Sequence, residues 1–73
     1  MTVDPEVVGL TGTVILRIRG GELPGEVEVR VRGGTEYLIA YADEPVELHQ
    51  AVLIWNSRGH RQVDVAPATW LAD

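Results

Sequence analysis

The chain reads as an all-β fold, five short antiparallel strands closing into a small barrel. Three observations predict it. The run Gly25–Arg32 alternates Val27, Val29 and Val31 with Glu26, Glu28, Arg30 and Arg32, which gives one dry face and one charged face. Glycine- and proline-bearing turns recur at short intervals. No segment carries the spacing of an amphipathic helix.

Residues 1–8 read as a lead-in in which Pro5 blocks early pairing. The first strand follows Gly12, with Val14, Leu16 and Ile18 on one face and Ile15, Arg17 and Arg19 on the other. Gly20, Gly21, Pro24 and Gly25 break it and lead into the alternating strand. A hairpin about this loop faces Ile18 with Val27, Leu16 with Val29 and Val14 with Val31. The same register sets Arg19 against Glu26 and Arg17 against Glu28, so one pairing satisfies both faces.

Gly33-Gly34 turns into a third strand, residues 35–42. Tyr37, Ile39 and Tyr41 share one face and Leu38 and Ala40 the other, so this strand is expected to be buried on both sides. Tyr37 is accordingly assigned to packing. The fourth strand is 51–55. Asn56–His60 is read as a turn with Gly59 in the left-handed conformation. The fifth strand is 61–66, with Val63 and Val65 inward and Gln62 and Asp64 outward, stopped by Pro67. Five short strands in so few residues close rather than leave a wet face. The oligonucleotide/oligosaccharide-binding (OB) barrel is the first candidate, and an SH3-like barrel competes.

With 73 residues there is room for one domain, and a chain this short buries only about 60% of its unfolded surface. It has no cysteine, hence no disulfide and no thiolate metal site. Six cationic side chains, all arginine, stand against 11 acidic ones, for a net charge of −5. That balance argues against general nucleic-acid binding. No apolar run reaches the length of a membrane span, and the first residues lack the charge pattern of a signal peptide.

No cofactor and no catalytic cluster is expected. His49 and His60 lie in different loops and fall short of a metal set. Ser57 in a turn lacks a positioned base, although His60 is close in sequence. Two apolar groups stand out as a candidate interface. Leu53 and Trp55 fall on the outer parity of the fourth strand, and Trp70 and Leu71 lie in the tail at 68–73. The tail either folds back over Trp55 or a barrel mouth, or it joins Leu53 and Trp55 in binding a partner. A nucleic-acid face would instead use Arg30, Arg32 and Tyr41.

A resemblance covers about residues 9–67. Gly9–Thr13, Leu23-Pro24-Gly25 leading into Val27 and Val29, Gly34–Tyr37, the segment from Val46 to Ile54, and Val63–Pro67 together resemble the NfeD-like C-terminal domain. That family usually places a glycine where this chain has His49-Gln50. The resemblance implies an OB-like barrel in a stand-alone, soluble, cytoplasmic form, with no catalytic residues to carry over. It further implies a protein–protein interaction module whose partner is a band-7 (SPFH, flotillin- or stomatin-like) membrane scaffold protein. Single-stranded nucleic-acid binding and self-association through the Leu53/Trp55 face are the alternatives.

Overall fold

Valine and isoleucine favour extended backbone and fill a pleated, half-buried surface. They dominate the five strands of the computed structural model, which describes residues 7–68. The strands are β1 (Thr11–Leu16), β2 (Gly25–Val31), β3 (Gly34–Tyr41), β4 (Ala51–Gly59) and β5 (Gln62–Pro67). They form a closed barrel in the order β1-β2-β3-β5-β4, with β4 returning to β1. Val14, Ile18, Val27, Val29, Val46, Val52 and Ile54 fill its interior with no exposed surface. Val7 and Ala68, at the two ends of the described chain, are buried as well.

Four of the five neighbouring pairs are antiparallel, but β3 and β5 run parallel through Ile39–Tyr41 and Gln62–Asp64. The five-stranded antiparallel barrel expected from the sequence is present, with this one parallel pair in it. Strands around a ring can alternate in direction only if their number is even, so closing five of them forces one parallel pair.

The register of the first hairpin also differs from the sequence expectation. Val14 pairs with Val27 and Thr13 with Glu28, four residues away from the anticipated match. The connection spans residues 17–24 and not 20–25, and a β-bulge between Val14 and Leu16 moves the register by one residue. The bulge turns Leu16 outward, where it is 56% exposed, while Ile18 still reaches the core. Beyond the bulge the chain leaves β2 altogether. Ile18 exchanges backbone hydrogen bonds with Val46, at 3.0 and 2.9 Å, and His49 N–H donates to Val14 O at 2.8 Å. The connector between β3 and β4 thus lies along the bent end of β1. Arg17 meets Glu47 of that connector at 3.1 Å instead of Glu28. Both side chains are exposed, so this pair is worth only about 0–1 kcal/mol. Residues 17–24 form a loop closed by mutual hydrogen bonds between Gly20 and Leu23.

Gly25 is fixed by this bend. A Cβ there would collide with the carbonyl oxygens of Leu16 and Arg17, so only glycine lets β2 start against the bulge. The connector carries the opposite case. His49 occupies the left-handed region at φ 74°, so the turn keeps the conformation that a glycine would adopt.

Two further expectations change. Only Leu38, Ala40 and Ala42 of the third-strand segment point into the barrel, and Tyr37 is 52% exposed. A barrel has one interior, so a strand flanked on both edges still shows its second face to solvent. The fourth strand does not stop at Trp55 but continues to Gly59. Its turn is His60-Arg61, both at positive φ (55° and 62°) after Gly59 at 79°.

Just before β5 the Arg61 carbonyl accepts from Ile39 N–H on the β3 side, and just after it Ala68 N–H donates to Ala51 O on the β4 side, each at 2.9 Å. By alternation, Pro67 sits where a backbone N–H would face the β3 side, past the last β3 partner at Tyr41.

Ile18→Ala should cost about 2–5 kcal/mol in urea unfolding, whereas Leu16→Ala should cost less than about 1. Similar losses would mean that the bulge is absent. His49→Gly relieves the left-handed strain and should raise stability by up to about 1 kcal/mol, measured the same way.

Candidate functional site

The alternation along β4 puts Val52 and Ile54 inside and Leu53 and Trp55 outside, as the sequence predicts, and Trp55 is 56% exposed. A register shift between Ile54 and Asn56 then places Asn56 opposite Asp64. This bulge brings Asn56 and Arg58 to the outer side of the barrel, where a strict alternation from Ile54 would have sent them inward. They converge there on Asp64 of β5.

Asp64 is the buried charge among the described residues, at 9% exposure. Its carboxylate is enclosed by donors. Arg58 Nη2 donates to Oδ1 at 2.7 Å, Arg58 Nε lies 3.1 Å from both oxygens, and Asn56 Nδ2 donates to Oδ2 at 2.8 Å. The guanidinium carbon lies 3.8 Å from the centroid of the Tyr41 ring, in cation–π geometry. The Tyr41 hydroxyl donates to Gln62 Oε1 at 3.2 Å. The hydrogen bond from Arg58 is the main influence holding the Asp64 carboxyl below the usual carboxylate range; Asn56 adds to it and burial opposes it. The same hydrogen bond raises the already high pKa of Arg58.

A groove of about 260 Å³ opens beside this network, between Trp55 and Ala66 on one side and Tyr41, Asp43 and Glu44 on the other. It lies where β3 and β5 separate after the Tyr41–Asp64 pair.

Arg30, Arg32 and Tyr41 do not form one surface. Arg30 pairs with Thr35 at one end of the β2–β3 hairpin, while Tyr41 is six residues further along β3, about 20 Å away at strand rise. Arg30 lines a separate cleft with Glu28 and Thr13. Between these ends the outer face pairs Glu28 with Tyr37 and Glu26 with Ile39. Tyr37 contributes its carbonyl to Arg61 at 2.9 Å, and Arg61 also ion-pairs with Glu36 at 2.9 Å. Ser57 accepts a hydrogen bond from Gly59 N–H at 3.3 Å, which is turn chemistry. His49 and His60 sit in separate turns, and no metal-binding group of His, Asp and Glu occurs among the described residues. Trp70 and Leu71 lie outside the described residues.

Reading Asn56–His60 as a turn hides the Asp64 network. A signal was there: polar Asn56 falls on the inward parity set by Val52 and Ile54, which marks a change of phase.

A closed five-stranded ring with one parallel seam and an open outer face defines an OB-like barrel domain. Residues 11–66 match the NfeD C-terminal domain model, and the chain belongs to that family. Two solved structures share the fold. The soluble domain of the NfeD protein YuaF from Bacillus subtilis aligns with a TM-score of 0.72 at 24% identity, over 86% of this chain and 75% of that one. The C-terminal domain of stomatin operon partner protein 1510-C from Pyrococcus horikoshii aligns at 0.70 and 23%, over 92% and 95%. No curated protein gives a significant sequence match. No helix among the described residues is long and apolar enough to cross a membrane.

Because the Asp64 carboxyl is held low, its contribution to stability is complete above the unfolded value of about 3.9 and is lost as pH falls through the folded value. Asp64→Asn should lower stability at pH 7 and flatten the acid limb of a stability–pH curve measured by urea unfolding. An unchanged limb would show that Asp64 carries none of it.

Proposed function

We propose that this barrel is a non-enzymatic protein–protein interaction module whose partner is a band-7 (SPFH, flotillin- or stomatin-like) membrane scaffold protein. The observation that carries this reading is an exposed Trp55, with Leu53 beside it on the outer face of β4, on a domain whose family match spans 11–66. Large aromatic side chains left partly open on a small barrel are typical anchors of an interface. One relative in fold is named as a stomatin operon partner protein, which supports the class of partner. Trp70 and Leu71 extend the proposed interface. The domain then sits in the cytoplasm, peripheral to the membrane through its partner. No chemistry is asked of it, since Asp64, Arg58 and Ser57 are all engaged in bonds within the barrel.

Binding of single-stranded nucleic acid is the weaker reading. The outer face of β2 and β3 sets Glu26 and Glu28 beside Ile39 and Tyr37, and carboxylates there repel phosphate. A labelled oligonucleotide at low salt should show no binding. Self-association through the Leu53/Trp55 face is opposed by the net charge of −5.

The partner reading is tested by co-purifying the chain with a tagged band-7 protein and titrating the purified pair by calorimetry. Association is expected, and Trp55→Ser should weaken it at least tenfold, as for an interface anchor. A pair that shows no heat of binding would sink the proposal, and light scattering of the chain alone should report a monomer.

A further inference from the structure

The groove beside the Asp64 network has a chemical character of its own. One wall is apolar, made by Trp55, Ala66 and Pro67, and Tyr41 faces it. The other wall carries Asp43 and Glu44. Of the charged groups lining it, three are carboxylates and one is a guanidinium, and that guanidinium is already committed to Asp64. Glu22 lies close enough to Arg58 to favour its charged form, so it adds a further negative charge nearby. The groove is therefore apolar at one side, acidic at the other, and set in a domain of net charge −5.

We infer that this groove takes a segment of a partner protein in which an apolar side chain is flanked by lysine or arginine. The apolar side chain lies against Trp55 and Ala66, and the cation is held by Asp43 and Glu44. An exposed indole favours a nearby cation as well. The floor is pre-organised. Arg58 is held against Tyr41 by its bonds to Asp64, so no long side chain must be ordered at that side on binding. Charge complementarity also separates the possible occupants. A second copy of the chain brings net negative charge, which the acidic wall repels. The inference deepens the partner reading above and rests on it for the class of ligand.

The test uses the full chain, labelled with nitrogen-15, and two capped peptides. One peptide places leucine between two lysines with glycine spacers, and the other places it between two glutamates. Saturable shifts at the Trp55 indole, Arg58 and Ala66 are expected with the lysine peptide only. Asp43→Asn with Glu44→Gln should weaken that binding about tenfold, in line with the loss of two exposed charge contacts. Unchanged core cross-peaks in this variant confirm that it folds. Equal binding of both peptides, or shifts confined to another face, overturns the inference. So does a Trp55 signal that moves on Trp70→Ala or with protein concentration alone, since the tail or a second copy would then be the occupant. Failure of the two readings can be told apart. Co-purification that survives in the Asp43/Glu44 variant keeps the band-7 partner and rejects the groove. Peptide binding without band-7 association keeps the groove and rejects that partner.

Discussion

An odd number of strands cannot alternate all the way round a ring, and the rest of this barrel follows from that constraint. One neighbouring pair must be parallel, and here the seam is three residues long on each strand, Ile39–Tyr41 with Gln62–Asp64. So short a seam offers few backbone hydrogen bonds, and parallel bonding is slightly weaker per residue than antiparallel. Side chains make up the difference. Arg61 reaches across to the Tyr37 carbonyl and to Glu36, Tyr41 bonds Gln62, and Arg58 bridges Asp64 to the Tyr41 ring. These polar contacts supplement a seam of three residue pairs.

Bulges redirect two of these strands. The one at Ile15–Leu16 bends β1 so that its far end leaves β2 and pairs with Val46 of the connector. The one at Trp55–Asn56 swings the polar half of β4 outward to meet Asp64. The first carries Ile18 to Val46, while closure onto β4 is made before it, by Thr11–Thr13 with Ala51–Leu53. Without the second, Asn56 and Arg58 would enter an apolar core. The enclosed carboxylate is thus the product of that local irregularity, whereas the exposed indole follows from plain alternation along β4.

How far the sequence could be read follows from this. Strict alternation placed Val27, Val29, Val52, Ile54, Val63 and Val65 inside correctly, because period two is written directly in residue type. Leu53 and Trp55 were placed outside by the same rule. Matched charges, Arg17 with Glu28 and Arg19 with Glu26, suggest a hairpin register that the connection at 17–24, with one further residue from the bulge, replaces. Bulges leave only a change of phase, easily hidden where both faces carry aliphatic residues, as at Ile15 and Leu16. The Asp64 site joins Asn56 and Arg58 to Asp64 across the β4–β5 hairpin, eight and six residues apart, and shows in the sequence only as the change of phase at Asn56. His49 shows the reverse: a non-glycine residue holds a left-handed turn, with its N–H donating to Val14 O and Val14 N–H donating to Gln50 O.

Pro67 carries one more implication. Past Tyr41 the β3-facing side of β5 is uncovered, and such an edge would ordinarily invite another chain to extend the sheet. With no N–H at this position, the ladder cannot continue there. What remains at this edge is side-chain chemistry, which depends on residue type where backbone pairing does not.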